Sequence, residues 1–236
     1  MNLLPDRVKR VYLRLIEPVA EWLIRNDVQP NTITTIGTLC SVIGGIIYGT
    51  GHIRTGGWFL GLTALFDVLD GMVARRTNRS SLFGAFYDST LDRVADGFVL
   101  GGLAVFFSTR PGWQGTVMVA VCVLALIGAF VTSYTRARAE ALGIDAKVGL
   151  LQRPERVILL SAPQAFFGLA LDGLVQIGII VLLTITAWVT ALQRVAAVRG
   201  AARREHADAT RAVSEVPIGP ESAREAAPPR SIVKGE

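Results

Sequence analysis

The chain predicts an all-α integral membrane protein: six transmembrane helices preceded by an N-terminal amphipathic interfacial helix. Three observations carry that expectation. Of the 236 residues 51% are hydrophobic, and they fall in long runs rather than alternating. The runs 32–52, 57–77, 82–108, 113–142, 154–171 and 174–198 match or approach the length of about 20 apolar residues that a helix needs to cross the hydrocarbon core. Finally, the basic residues are distributed with a strong bias: of 24 Lys and Arg, only Arg54 and Arg110 fall in the loops after the first and third runs, and the loop after the fifth has none. The positive-inside rule then puts both termini in the cytoplasm of a cell that carries the protein in its plasma membrane, which requires an even number of spans.

Taken in order, residues 3–25 form the amphipathic element, with Leu13, Ile16, Ala20 and Leu23 at helical spacing and basic residues on the other faces. Pro18 is expected to break or kink it. The segment DVQPNTITTIG leads into the first span, with Asn31 or Thr32 as candidate caps. Its helix N-terminus offers free N–H groups to an anion such as a phosphate, although capping alone also accounts for these residues. The third and fourth runs are long enough to project beyond the bilayer. The fifth is short and opens with charge. The tail 201–236 is rich in Ala, Arg, Glu and Pro with few large apolar residues, and is expected to lack fixed structure. The domain division is therefore 1–26, a juxtamembrane helix; 27–200, the six-helix membrane domain; and 201–236, a disordered cytoplasmic tail. Cys40 and Cys122 sit in spans without metal-ligand spacing and read as packing residues. No cleavable signal peptide is expected, because the first 25 residues are too charged.

The chemistry is concentrated in DVLDGMVARRTNRSSLFGAFYDSTLD. Asp67 and Asp70 stand at i, i+3, with Gly71 and Ala74 continuing the face; Asp88 and Asp92 stand at i, i+4, one turn beyond Gly84. Carboxylates at membrane depth need a strong counter-charge. A hairpin of the second and third spans would set the two pairs face to face around one small volume. Hard oxygen ligands in that number suit Mg2+ or Mn2+ rather than zinc. Gly71 and Gly84 leave room for close approach of a ligand, and Arg75 is placed for a phosphate. Metal, glycine and arginine together point to phosphoryl transfer. His52 and His206 lie far from the aspartates, which argues against histidine acid–base chemistry.

From Asp67 to Asp92 the chain reads D-x2-D-G-x2-A-R-x8-G-x3-D-x3-D. This resembles the signature of the CDP-alcohol phosphotransferase (CDP-alcohol phosphatidyltransferase) family. The resemblance covers about residues 5–200. It implies a six-span membrane enzyme, usually a homodimer, that moves a substituted phosphate from a CDP-linked donor onto an alcohol and releases CMP. It implies two Mg2+ ions, with Mn2+ as an alternative, held by Asp67, Asp70 and Asp88. Asp92 would complete the second metal site and act as general base on the acceptor hydroxyl. Gly71, Ala74, Arg75, Ser81 and Gly84 would contact the CDP part of CDP-diacylglycerol, and Asn31, Thr32, Ile33 and Thr34 its phosphates.

A second stretch, SYTRARAEALGIDAKVGLLQRPERVIL, gathers Arg136, Arg138, Lys147, Arg153 and Arg156 at the ends of the fourth and fifth spans, with Arg194 at the end of the sixth. Positive-inside anchoring accounts for basic residues there. Inward-facing arginines beside an acidic metal site would instead form a second anion pocket, for an acceptor with its own phosphate. The pattern SYxxARAExxG followed by RPER resembles the phosphatidylinositol-phosphate synthase branch of actinobacteria, which implies inositol 1-phosphate as acceptor and Ser133, Arg136, Arg156 and Arg194 around its phosphate. That branch often has lysine where this chain has Arg136, so the charge is kept but the geometry differs.

A phosphatidylglycerophosphate synthase would also take a phosphorylated acceptor, glycerol 3-phosphate, but its typical D-P-x-A-D-K is replaced here by DSTLDR. A divalent-cation transporter would more often place its carboxylates near the midplane on broken helices. The net charge of +5 needs no nucleic acid partner: topology and anionic membrane lipids account for it.

Overall fold

The computed structural model describes residues 6–146, 148–151 and 153–214. The described residues form helices and contain no strand: α1 (Asp6–Arg25), α2 (Pro30–Gly49), α3 (Ile53–Arg76), α4 (Leu82–Ser108), α5 (Trp113–Ala141), α6 (Arg153–Phe167) and, after a short 3-10 turn at Ala170–Gly173, α7 (Leu174–Ser214). Four stretches are long and apolar enough to cross a membrane: Pro30–Gly49, Ile53–Arg76, Trp113–Ala141 and Ala170–Arg204. α4 has the length, at 27 residues, but it carries Asp88, Asp92, Arg93 and Asp96. α6 has only 15 residues.

The helices close into a ring: α2 packs on α3 and α4, α3 on α6, α6 on α7, α7 on α5, and α5 on α4. The expected α3–α4 hairpin is not what forms. α2 lies against both helices, because its glycines let neighbouring backbones come close. A Cβ at Gly45 would collide with the carbonyl of Phe98, and one at Gly102 with the backbone of Gly45. On the α3 side a Cβ at Gly57 would strike the backbone of Ala165 on α6. Several polar groups inside the ring are paired, as a low-dielectric interior favours. Tyr48 Oη donates to the Leu160 carbonyl at 2.6 Å, and Ser41 and Thr63 share a hydrogen bond of 2.9 Å. The main core combines Tyr48, Leu60, Val99, Leu103, Phe106, Cys122, Leu160 and Ile180.

α1 packs against α3. Ile16 and Ala20 are buried there, with Leu13 and Leu23 half-buried around them. The helix runs through Pro18. The proline ring costs one backbone hydrogen bond, and the packed apolar face holds the helix together across it. Arg76 bonds Glu17 at 2.5 Å, and Arg79 bonds Asp27 at 2.6 Å, tying α1 and the following turn to the end of α3. α2 starts at Pro30 with Gln29 as its cap, not Asn31 or Thr32. Proline at the first helical position is pre-set for the helix and has no N–H to leave unpaired. The tail also departs from expectation as far as it is described. α7 continues to Ser214, because GAARREHADATRA is composed largely of strong helix formers and the next proline is Pro217. The expectations for residues 1–5, Lys147 and 215–236 lie outside the described residues.

Candidate active site

The donor-side residues come from three helix ends. α2 begins with Asn31, Thr32, Ile33 and Thr34. α3 ends with Asp67, Asp70, Gly71, Ala74 and Arg75. α4 starts after Ser81 and carries Gly84, Asp88 and Asp92. The Thr34 hydroxyl donates to Asp70 Oδ2 at 2.7 Å, joining α2 to α3. A Cβ built on Gly84 would lie 3.3 Å from Asn31 Oδ1 and 3.1 Å from Ser81 Oγ, so the starts of α2 and α4 meet at this glycine. Ser81 caps α4, its Oγ accepting from the Gly84 N–H at 2.9 Å. Arg75 folds back over Gly71, where an added Cβ would come within 3.1 Å of Nη1. Ile33 and Thr34 are buried, Thr32 faces out, and Ala74 is half-buried.

The four aspartates are less tightly gathered than the spacing suggests: among the described residues no three or more carboxylate, cysteine or histidine side chains stand together as a metal-holding group. Arg153, the first residue of α6, stands among them. Its Nη1 lies 2.7 Å from Asp67 Oδ2 and 2.6 Å from Asp92 Oδ1. One cationic nitrogen thus bridges α3 and α4, acting as a stand-in for a cation between those two carboxylates. The all-oxygen donor set, and a single positive atom able to reach Asp67 and Asp92 at once, fit a hard divalent ion. Asp88 lies one turn before Asp92, half-buried.

Sequence reasoning placed Arg153 among basic residues at a span end but did not pair it with the aspartates. It missed Asp96 and Arg93 altogether. Asp96 sits one turn beyond Asp92, and its Oδ2 lies 3.6 Å from Arg156 Nη2. The signal was present: RPER sets Arg153 and Arg156 at i, i+3, and Asp92 and Asp96 stand at i, i+4, so two arginines on α6 match two aspartates on α4. Arg93 Nε, Asp96 Oδ2, Arg153 Nε and Arg156 Nε are buried without a hydrogen-bond partner. A cavity of about 30 Å3 lined by Ser41, Asp96, Arg153 and Arg156 lies among them.

The residues expected around an acceptor phosphate come from α5, α6 and α7. Arg194 Nε donates to the Val148 carbonyl at 2.9 Å, and its Nη1 donates to the carbonyl of Thr132, next to the half-buried Ser133. Arg136, one turn on, is exposed and paired with Glu140 at 2.9 Å. Arg194 nevertheless lies within electrostatic reach of the like charges of both Arg136 and Arg156. Arg136, Arg156 and Arg194 thus stand on three different helices, with Arg194 in electrostatic reach of the other two.

Known proteins resemble this chain in sequence and in fold. The CDP-alcohol phosphatidyltransferase family pattern matches residues 27–198. The chain is 39% identical over 212 residues to the phosphatidylinositol phosphate synthase of Streptomyces avermitilis, covering 86% of this chain and 84% of the relative. Its structure is similar to the crystal structure of Mycobacterium tuberculosis phosphatidylinositol phosphate synthase with CDP-DAG bound, with TM-score 0.71, 30% identity, and coverage of 78% of this chain and 94% of that one. It is similar also to the same mycobacterial enzyme in complex with manganese and citrate, with TM-score 0.70, 30% identity, and coverage of 77% and 87%. The apolar helices and these relatives together describe a membrane-bound transferase, and the chain belongs to the CDP-alcohol phosphatidyltransferase family.

Proposed function

We propose that the protein transfers the phosphatidyl group of CDP-diacylglycerol to a hydroxyl of inositol 1-phosphate, giving phosphatidylinositol phosphate and CMP. The observation that carries this reading is that Arg194 lies in electrostatic reach of the like charges of Arg136 and Arg156, while Arg156 pairs with Asp96, one helical turn beyond Asp92. Like charges in reach of one another repel, and a phosphate-bearing acceptor relieves that repulsion. An acceptor without a phosphate needs no such cluster.

In this reading α4 and α6 join the four apolar helices to make six spans. α4's charges face the site, and α6 is short. The basic loops lie on the cytoplasmic side of the plasma membrane, together with both termini and the site. α1 lies in the interface, since Leu15, Val19 and Trp22 form an exposed apolar stripe opposite its packed face. The working unit is a homodimer, as the family resemblance implies.

Asp67, Asp70, Asp88 and Asp92 hold two divalent ions, Mg2+ with Mn2+ as the alternative. The manganese-bound mycobacterial relative supports this reading. Bound there, the ions would neutralise the pyrophosphate oxygens and make the acceptor hydroxyl easier to deprotonate. Thr34 fixes the rotamer of Asp70 by its hydrogen bond. Asn31–Thr34 at the start of α2 and Arg75 over Gly71 take donor phosphate oxygens, with Ala74, Ser81 and Gly84 shaping the cytidine side. Asp92 accepts the proton of the acceptor hydroxyl. The freed oxygen attacks the phosphorus that carries diacylglycerol, the bond from that phosphorus to the bridging oxygen breaks, and CMP leaves. Ser133, Arg136, Arg156 and Arg194 hold the acceptor phosphate.

The test is CMP release by purified protein with CDP-diacylglycerol and Mg2+, comparing inositol 1-phosphate, glycerol 3-phosphate and free inositol. Release with inositol 1-phosphate alone is expected. Release with glycerol 3-phosphate would keep the mechanism and change the acceptor. Release with none of the three would overturn the donor or acceptor assignment.

A further inference from the structure

Asp67 and Asp92 serve two cations in different ways. Both side chains are largely withdrawn from solvent, at 25% and 13% exposed, and Arg153 is 18% exposed. Carboxylates so placed hold a positive partner strongly, because water screens the pair little. The partner seen is a single nitrogen, Arg153 Nη1, which donates to Asp67 and forms an ion pair with Asp92. In the reading above, the same two oxygens ligate a divalent ion. A guanidinium and a metal ion cannot occupy one position between two carboxylates.

We propose that Arg153 is a built-in counter-cation that competes with divalent metal for Asp67 and Asp92, and that swings to Asp96 when metal takes its place. This inference rests on the metal assignment proposed above. Three features support the swing. Arg153 is the first residue of α6, so its long side chain can rotate while the helix stays packed on α3. The small cavity that it lines also has Asp96 in its wall. The Asp96 Oδ2 atom is buried and lacks a hydrogen-bond partner, and so does Arg153 Nε. The destination is thus a carboxylate oxygen that makes no hydrogen bond, its ion-pair partner Arg156 standing 3.6 Å away. The exchange keeps a positive charge between the two carboxylates in both arrangements, which lowers the cost of holding them close out of water.

The experiment titrates Mn2+ into the purified full-length protein without substrate, reading free Mn2+ by electron paramagnetic resonance. Wild type, Arg153→Gln and Arg153→Lys are compared. With the competitor removed, Arg153→Gln is expected to bind Mn2+ about 10-fold more tightly, within the usual span of coupling between two sites. Arg153→Lys is expected between the two, since a lysine keeps the positive charge without the planar guanidinium that is placed between the carboxylates. Melting temperature supplies the second readout. Arg153→Gln should melt below wild type in EDTA, and the gap should close as Mn2+ is added. A gap constant at every Mn2+ concentration, or Mn2+ affinity unchanged or weakened in Arg153→Gln, would reduce Arg153 to a structural salt bridge and overturn the proposal while leaving the metal site standing. Failure of all three proteins to bind Mn2+ would overturn the metal assignment and this inference with it.

Discussion

The acidic and basic halves of the site are built differently. The acidic half is partly compensated from inside the fold: Arg153 bridges Asp67 and Asp92, and Thr34 donates to Asp70. In the basic half, Arg194 lies in electrostatic reach of the like charges of Arg136 and Arg156. Only Arg156 has a buried carboxylate beside it, at 3.6 Å. Arg194 leans on backbone carbonyls and Arg136 on an exposed glutamate. A half that already has a cation is suited to exchanging it for another. A half with surplus positive charge is suited to capturing an anion.

The largest test of this contrast is Asp92→Asn. If Asp92 is the base, turnover should fall about 10^3-fold or more, measured as CMP release, while CDP-diacylglycerol binding largely survives. Normal turnover would remove Asp92 from proton transfer and leave it only as a partner of Arg153. Next in size is Arg156→Ala. Losing a partly buried charge that meets a phosphate should raise the KM for inositol 1-phosphate by about 30-fold or more, with the donor KM little changed. Equal effects on both substrates would mean that Arg156 serves the whole site through Asp96 rather than the acceptor alone.

How legible each half was follows from how it is assembled. The acidic motif is local: i, i+3 and i, i+4 spacing on two helices fixes which carboxylates share a face, and the helix boundaries lie close to the hydropathy runs. What the sequence did not show is long-range. Arg153 reaches Asp67 across 86 positions, and only the packing of α6 on α3 brings them together. The hairpin of α3 and α4 was a reasonable expectation from the short loop, but the glycines of α2 let it pack against both helices. Ser81 shows a different ambiguity: the residue that the family resemblance assigns to the donor also caps α4, and one serine in a sequence does not reveal which task it performs.

A smaller effect tests how far the acidic half depends on preorganisation. The Thr34 hydroxyl bonds Asp70 at 2.7 Å and the residue is 8% exposed. Thr34→Val keeps the shape and removes the donor. A hydrogen bond to a charged group contributes about 1.5–3 kcal/mol, so CMP release should fall about 10-fold at fixed Mg2+, with partial recovery at high Mg2+. Loss of activity that Mg2+ does not restore would point to a role for Thr34 on the donor phosphates instead.

The smallest expected effect addresses the weakest member of the basic half. Arg136 and Glu140 are each 49% exposed and sit at i, i+4. Such exposed pairs contribute about 0.3–0.5 kcal/mol, so Glu140→Gln should leave stability unchanged within measurement error. Its effect on the acceptor KM is the informative quantity. If Arg136 only anchors the helix end, that KM stays within about 2-fold of wild type. If Arg136 turns inward to the acceptor phosphate, Glu140 is its competitor, and removing the glutamate's charge lowers the acceptor KM by more than that. Arg136→Lys sharpens the answer, because lysine keeps the charge without the fork. A lysine variant matching wild type means that charge alone is used at this position, whereas a raised KM means that the planar geometry of the guanidinium contributes to holding the phosphate.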